Sequence, residues 1–453
     1  MMKSVTPRDI ALQVLNKSHH KPHLSSKYLN AVFLQFSPGQ ALDCAFTLHL
    51  IQGVFRWKAR LDWIIKSRLN FSFNKLQTRI LNILRIAVYQ IFFMDRVPDS
   101  AAVDEAVKQA KKNGRKHLSG FVNGILRSIC RQRNQIAYPE RQKDQVEYLS
   151  VYYSYPPWLA EKWIRETGAD SAELLMESLN HAPSIIIRRN RLKIRRSTLI
   201  KCLASEGVIG KPTHYSPDGI ELNNLRGGVS ELIAFKKGLF QVQGEAAQIS
   251  SFLLDPRPEE LILDVCAGLG GKTTHLAEIT GGKAFLYALD KNYGKLIKQK
   301  ETSVRLGINC IQSIVADAEK PLNFLFRKPF DKILIDGPCS ALGILHRHPD
   351  GKWSRDESTI KHLPFIQKKL LMNTVPLLRN GGSMIYLTCT ISQEENEGLI
   401  QSFLDSCPEM NLIDLKKRVP ENYLQLIDEN GFYKTLPYKH GMEGFFGALF
   451  RKN

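Results

Sequence analysis

The sequence predicts a multidomain chain: an all-α N-terminal domain, a small α+β linker module and a C-terminal α/β domain of Rossmann-like build. Three observations carry that expectation. The chain has 453 residues, beyond the roughly 250–300 at which one hydrophobic core stops growing. Apolar residues recur at helical spacing through the first ~140 residues. From residue 259 onward, short apolar runs alternate with helical patterns, as in a parallel sheet covered on both faces.

The N-terminal domain, placed at residues 1–145, opens with a helix start. Thr6 is the N-cap, Pro7 takes the first helical position, and Asp9 reaches back from the third. Helical spacing continues through 61–69, 76–93, 101–112 and 119–132. The run Lys108, Lys111, Lys112, Arg115, Lys116 reads equally as a solvated helix face or as an edge that contacts phosphate. Paired prolines in Tyr155-Pro156-Pro157-Trp158 punctuate the chain. A second module, placed at 150–238, then mixes helices (158–166, 196–206) with a strand-like run (184–189). Asp255-Pro256-Arg257-Pro258 marks a surface turn inside the third domain, placed at 239–453. Its expected strands are 261–267, 284–290, 310–316, 332–335 and 383–388.

Composition excludes several classes. No stretch approaches the ~18 consecutive apolar residues of a membrane helix; the best, Leu81 to Met94, is broken by Arg85. Eight cysteines are scattered without a Cys-x-x-Cys pair, which fits neither a disulfide framework nor a zinc site. No metal is expected, and a cytoplasmic protein is. Residues 1–150 hold 24 Lys and Arg against 10 Asp and Glu, so +14 of the net +19 sits in the first third of the chain. A basic surface of that size concentrates polyanions, which points to nucleic acid.

The segment 261–275 carries the first chemical signal. Asp264 lies on a strand, Gly268, Gly270 and Gly271 make a turn, and Lys272 opens a helix. A phosphate-cradling P-loop needs glycine five residues before Gly271, where Cys266 stands. The dinucleotide fingerprint needs glycine three after Gly270, where Thr273 stands. Asp290, Asp317 and Asp336 close successive strands and line the sheet edge where open α/β folds bind ligands. An acid after the second strand suits ribose hydroxyls. A nucleoside without a long phosphate chain fits this set, and S-adenosylmethionine is one.

Two cysteines leave strand ends beside that edge, in Asp336-Gly337-Pro338-Cys339-Ser340 and Thr388-Cys389-Thr390. A thiolate can add to a pyrimidine ring and activate an otherwise unreactive carbon. Carbon 5 of cytosine is such a carbon, and Asp336 is a candidate acid near ring nitrogen 3, provided its surroundings raise its pKa.

These motifs, with Cys266-Ala-Gly-Leu-Gly-Gly-Lys272-Thr, resemble those of the RNA cytosine-5 methyltransferases, and within them the Fmu/Sun-type enzymes of bacterial small-subunit ribosomal RNA. The likeness covers nearly the whole chain. Val103 to Lys108 and Phe121 to Arg127 resemble the NusB-like RNA-binding domain of that subfamily. Arg347 to Trp353, Glu443 to Phe446 and Phe240 to Gly244 resemble further segments of it.

The resemblance implies roles. Cys389 matches the nucleophile at carbon 6, Cys339 the cysteine that assists release, and Asp336 the acid beside the base. Asp290 and Asp317 match contacts to the cofactor's ribose and adenine. Cys266, Ala267, Gly268, Leu269, Gly270, Gly271 and Lys272 match the loop around its methionine part. DNA cytosine methyltransferases place the nucleophile in the Pro-Cys motif, which would exchange the cysteine roles; a cysteine in both motifs favours RNA. The subfamily's loop usually reads Ala-Ala-Pro-Gly-Gly-Lys, so Gly268 and Leu269 are expected to loosen it. The expected activity is S-adenosylmethionine-dependent cytosine-5 methylation of small-subunit ribosomal RNA; the residues leave the oligomeric state open and are compatible with a monomer. The alternatives are another RNA substrate and a non-catalytic RNA-binding or assembly factor.

Overall fold

The computed structural model describes residues 6–19, 28, 40–112, 116–225 and 227–453. Of the basic run, Arg115 lies outside the described residues, as do residues 1–5 and 20 of the N-terminal lead. The chain divides into two compact units. One comprises residues 1–182 with 345–357; the other comprises 183–344 with 358–453.

The first unit is helical: α1 (Pro7–Ser18), α2 (Ala41–Lys66), α3 (Thr78–Phe93), α4 (Asp99–Lys111), α5 (Lys116–Arg131), α6 (Gln145–Tyr152), α7 (Pro157–Thr167) and α8 (Ala169–Ser178). The expected capping box is present: the Thr6 hydroxyl accepts from the Asp9 amide, and the Asp9 carboxylate accepts from the Thr6 amide. Pro157 sits at the first position of α7. Apolar faces of α1 to α5 form one core that includes Leu61, Ile64, Leu84, Val88, Val122 and Leu126. Arg85, which interrupts the most apolar run, is buried and held bidentately by Asp62 at 2.7 Å. Among the described residues no helix is long and apolar enough to cross a membrane.

Residues 345–357 are built into this helical unit. Lys352 is fully buried; its ammonium donates to the carbonyls of Arg56 and Ser154 and to Asn180 Oδ1 (2.6 Å), and lies 3.6 Å from the Tyr155 ring centroid. Burial holds its pKa well below the usual lysine value. The Trp353 indole donates to Phe55 O at 2.7 Å.

The second unit holds two sheets. The smaller contains β1 (Ile185–Arg189), β2 (Ile209–Pro212), β3 (Gly219–Asn223) and β4 (Phe240–Val242), in antiparallel order β2-β3-β1-β4, with α9 (Arg196–Ser205). After α10 (Glu245–Leu253) the larger sheet begins: β5 (Leu261–Val265), α11 (Gly271–Ile279), β6 (Phe285–Asp290), α12 (Tyr293–Leu306), β7 (Ile311–Val315), β8 (Phe330–Asp336), α13 (Glu357–Thr374), β9 (Leu378–Thr388), α14 (Glu397–Ser406), β10 (Met410–Ile413), β11 (Tyr433–Thr435) and β12 (Phe445–Lys452). Its order is β10-β12-β9-β8-β5-β6-β7, with β11 also on β12.

The five strands β5 to β9 are parallel, as expected from their buried Ile, Val and Leu runs. The sheet as a whole is mixed, because β12 runs antiparallel between β9 and β10. The parallel order places β5, β6 and β8 side by side, so their carboxyl ends and the loops that follow share one edge.

Candidate active site

The turn after β5 is shaped by three left-handed backbones: Cys266 (φ 63°), Gly268 (59°) and Gly270 (79°). At Gly270 only glycine fits, since a Cβ there would lie 2.2 Å from Gln299 Cγ. The turn is pinned to β6 at two points: the Ala267 amide donates to Leu289 O and the Gly268 amide to Asp290 Oδ2, both at 2.9 Å. Asp290 Oδ1 accepts from the Asn292 amide at 2.7 Å. Asp317, two residues past β7, accepts from the Glu319 amide at 3.1 Å and is half-buried. Leu269 at the tip is 55% exposed.

This turn differs from a phosphate cradle in a measurable way. The amide of Gly268 is already taken by a carboxylate, and acids stand at two successive strand ends. Such an acceptor set suits hydroxyl and amine donors, hence a nucleoside bearing an amino acid rather than a polyphosphate. Asp264, on β5, braces the turn from beneath. It is fully buried, accepts from Thr273 Oγ1 at 2.5 Å, and burial pushes its carboxyl up to about 7, with the Asp336 and Asp290 charges adding to the rise.

The chemistry-bearing groups meet at the ends of β8 and β9. The Lys272 ammonium, at the start of α11, lies 2.5 Å from Asp336 Oδ2. Burial opposes the lysine's charge, but Asp336 outweighs it, with Cys389 contributing, and its pKa is raised. Cys339 Sγ and Cys389 Sγ are 3.4 Å apart. The Cys339 thiol is pushed well above its usual value by its bond to Cys389 and by burial. Burial with the neighbouring carboxylates pushes Cys266 up to about 12, which makes it a neutral thiol of the turn rather than a nucleophile. Thus Lys272, Asp336, Cys339 and Cys389 form one cluster. Cys266 to Gly271 and Asp290 form the adjoining turn. Among the described residues, no group of three or more His, Cys, Asp or Glu is arranged to hold a metal ion.

Motif residues and residues outside the motifs both support the cluster. Ser340 and Thr390, each following a cysteine, share a hydroxyl bond at 2.6 Å. Glu395 accepts from the Ser340 amide (2.9 Å), the Ser340 hydroxyl and Gln367 Nε2 (2.9 Å). Arg188 on β1 clamps α11 through Glu278, Thr274 and the carbonyl of Gly271, and also donates to Gln243, which follows β4. No local sequence signal marks these partners, because they join residues 28 to 90 apart.

Comparison with known proteins agrees with this architecture. The model of the 16S rRNA methyltransferase RsmB/F family matches residues 251–451, the NusB family model matches 5–131, and the RsmF/B-like ferredoxin-like domain matches 155–226. The probable ribosomal RNA small subunit methyltransferase B of Bacillus subtilis is 32% identical over 452 residues, covering 100% of both chains. The chain belongs to the ribosomal RNA small subunit methyltransferase B family. A probable family member from Synechocystis is 33% identical over 99% of this chain and 100% of its own length. Among solved structures, that of PH0851 covers 99% of this chain and 100% of its own, at TM-score 0.80 and 27% identity. NSun6 from Pyrococcus horikoshii, solved with SFG, covers 67% of this chain and 99% of its own at TM-score 0.59 and 25% identity. A NusB domain, a ferredoxin-like module and a methyltransferase domain therefore follow one another along this RNA methyltransferase.

Proposed function

We propose that this family member methylates carbon 5 of a cytosine in 16S small-subunit ribosomal RNA, in the cytoplasm, through a covalent adduct. The observation that carries the reading is the thiol pair, 3.4 Å apart, at the same strand ends as the Lys272–Asp336 pair. We assign residues 1–145 to RNA docking, 150–238 to the linking module and 239–453 to chemistry. S-adenosylmethionine supplies an electrophilic methyl group when bound, with Asp290 and Asp317 as partners for its ribose and adenine and the turn Cys266 to Lys272 around its amino-acid part.

The protein's own groups do the rest. Cys389, as thiolate, adds to carbon 6 of a base turned out of its stack. The electron pair displaced into the ring is accommodated at nitrogen 3 by a proton from the Lys272–Asp336 pair, which couples an ammonium donor to the carboxyl beside the base. Carbon 5 is then nucleophilic and would take the methyl from the sulfonium, whose carbon–sulfur bond breaks to leave a neutral thioether. With Cys389 tied up in the adduct, Cys339 assists passage of the carbon 5 proton to solvent. Nitrogen 3 returns its proton to the Lys272–Asp336 pair, and Cys389 leaves carbon 6 as thiolate, which restores the aromatic ring and frees the enzyme.

The test compares wild type, Cys389→Ala and Cys339→Ala with labelled S-adenosylmethionine and small-subunit RNA. The expected results are methyl transfer by wild type, none by Cys389→Ala, and a denaturation-resistant RNA adduct with Cys339→Ala. An adduct with Cys389→Ala instead would exchange the cysteine roles. Transfer undiminished in Cys389→Ala would end the covalent reading.

A further inference from the structure

The two residues before α14, Glu395 and Asn396, each grip one of the cysteine loops. Glu395 holds the residue after Cys339 through the amide and hydroxyl of Ser340. It also holds the residue before it through Gln367, whose Nε2 donates both to Glu395 and to Pro338 O at 2.9 Å. Asn396 does the same for Cys389: its Oδ1 accepts from Thr388 Oγ1 at 2.7 Å and its Nδ2 donates to Thr390 O at 3.1 Å. The Ser340–Thr390 hydroxyl bond then joins the two loops directly. Each thiol is thereby fixed on both sides by one member of a dipeptide.

Both members are used against their ordinary preference. Asn396 stands at the N-cap of α14, where an asparagine side chain ordinarily accepts from the first helical amides and stabilises the helix by about 1 kcal/mol. Its side chain makes no such bond here and is committed to the cysteine loop. Glu395 is a fully buried carboxylate, which costs free energy unless well satisfied. The Tyr386 hydroxyl donates to the Glu395 carbonyl at 3.0 Å, tying this turn back to β9. A helix cap and a buried charge are both given over to one local geometry, the contact of two sulfurs.

We propose that Glu395 and Asn396 are positioning residues that hold Cys339 against Cys389, with Glu395 setting the place of Cys339. The consequence for the reaction rests on the roles assigned above: loosening Glu395 should impair release of the methylated RNA while leaving the first methyl transfer largely intact. Glu395→Gln presents an amide to the Ser340 and Gln367 donors and should produce that state with both thiols still present.

The experiment uses the full chain and two readouts. Without RNA, phenylarsine oxide, which bridges two close thiols, should bind Glu395→Gln and Asn396→Ala roughly tenfold more weakly than wild type, because one thiol no longer presents the other at high effective concentration. With labelled S-adenosylmethionine and RNA, Glu395→Gln should lose about 10²-fold in turnover and accumulate the same adduct as Cys339→Ala. Ser340→Ala, which removes one hydroxyl, should shift both readouts in the same direction by a smaller factor. Wild-type arsenical affinity in Glu395→Gln and Asn396→Ala would overturn the proposal, as would loss of first-turnover transfer without adduct in Glu395→Gln. If Cys339→Ala itself forms no adduct, the assigned role of Cys339 fails, and the arsenical readout still decides the positioning role.

Discussion

Removing the Arg188 guanidinium should destabilise the second unit more than any single surface change, and the loss should depend on pH. Arg188 is fully buried on β1, with Nε 3.1 Å and Nη2 2.7 Å from the two Glu278 oxygens, 3.1 Å from Thr274 Oγ1 and 2.8 Å from Gly271 O. Arg188→Met fills similar volume but leaves Glu278 as a buried carboxylate without its cation. Breaking a buried pair from one side costs about 3–5 kcal/mol. At roughly 2–4 °C per kcal/mol for a domain of this size, the midpoint should fall by about 6–20 °C.

The sign of the pH effect follows from Glu278. Burial already raises its carboxyl above 4.5, and Arg188 opposes that rise. Without Arg188 the folded-state pKa rises further, so the folded chain binds the proton more tightly than the unfolded one. Stability of the variant is then greatest in acid and falls as pH rises from about 4.5 through the raised value. Calorimetric melting from acid to neutral pH should show a deficit that widens toward neutrality, and Arg188→Met/Glu278→Gln should recover part of it. A deficit of the same size at both ends of that range would refute the reasoning.

Other substitutions probe separate links. Asp264, raised from 3.8 to about 7 by burial, makes the folded state lose stability as pH rises across that interval, by roughly 4 kcal/mol at full ionisation; Asp264→Asn should flatten the stability-against-pH curve between those values in denaturant titrations. Gly270→Ala combines a left-handed residue with a Cβ driven into Gln299, and should cost about 2–5 kcal/mol and weaken S-adenosylmethionine binding measured by calorimetry. Thr6→Ala removes the capping box and should cost the helical unit about 1 kcal/mol in urea unfolding. RNA affinity measured against salt should fall linearly on logarithmic axes, with a slope reduced by about one for each of Lys108 and Lys111 that contacts phosphate when changed to Ala.

Local pattern carried much of this structure. The capping box at Thr6, the strand runs from β5 to β9 and the glycine turn were legible because each depends on residues within a few positions of one another. Only the end of α2 carries a helical signature in the sequence, since Ala41–Lys66 is apolar over much of its circumference and its N-cap, Gln40, makes no capping bond. Helices α6, α8 and α10 were not expected; α8 shares its N-cap, Gly168, with the end of α7 and lacks a side-chain cap. In the site, motif spacing pointed to Lys272, Asp336, Cys339 and Cys389, but the ion pair between the first two and the partners Glu395, Asn396 and Arg188 arise only when distant segments meet. The antiparallel direction of β12 is likewise a property of pairing, not of residue order.

The excursion of residues 345–357 means that the chain passes between its two units three times, at 182–183, 344–345 and 357–358. The units are therefore not beads joined by a single cuttable link. Cutting away residues 1–182 would leave Lys352 without its three oxygen acceptors and Trp353 without Phe55, stranding the loop that carries them. A lineage that gained or lost the helical unit by simple fusion at one end would have had to rebuild a loop that begins five residues after Ser340. Inheritance, like dissection in the laboratory, has to treat that loop and the helices as one piece.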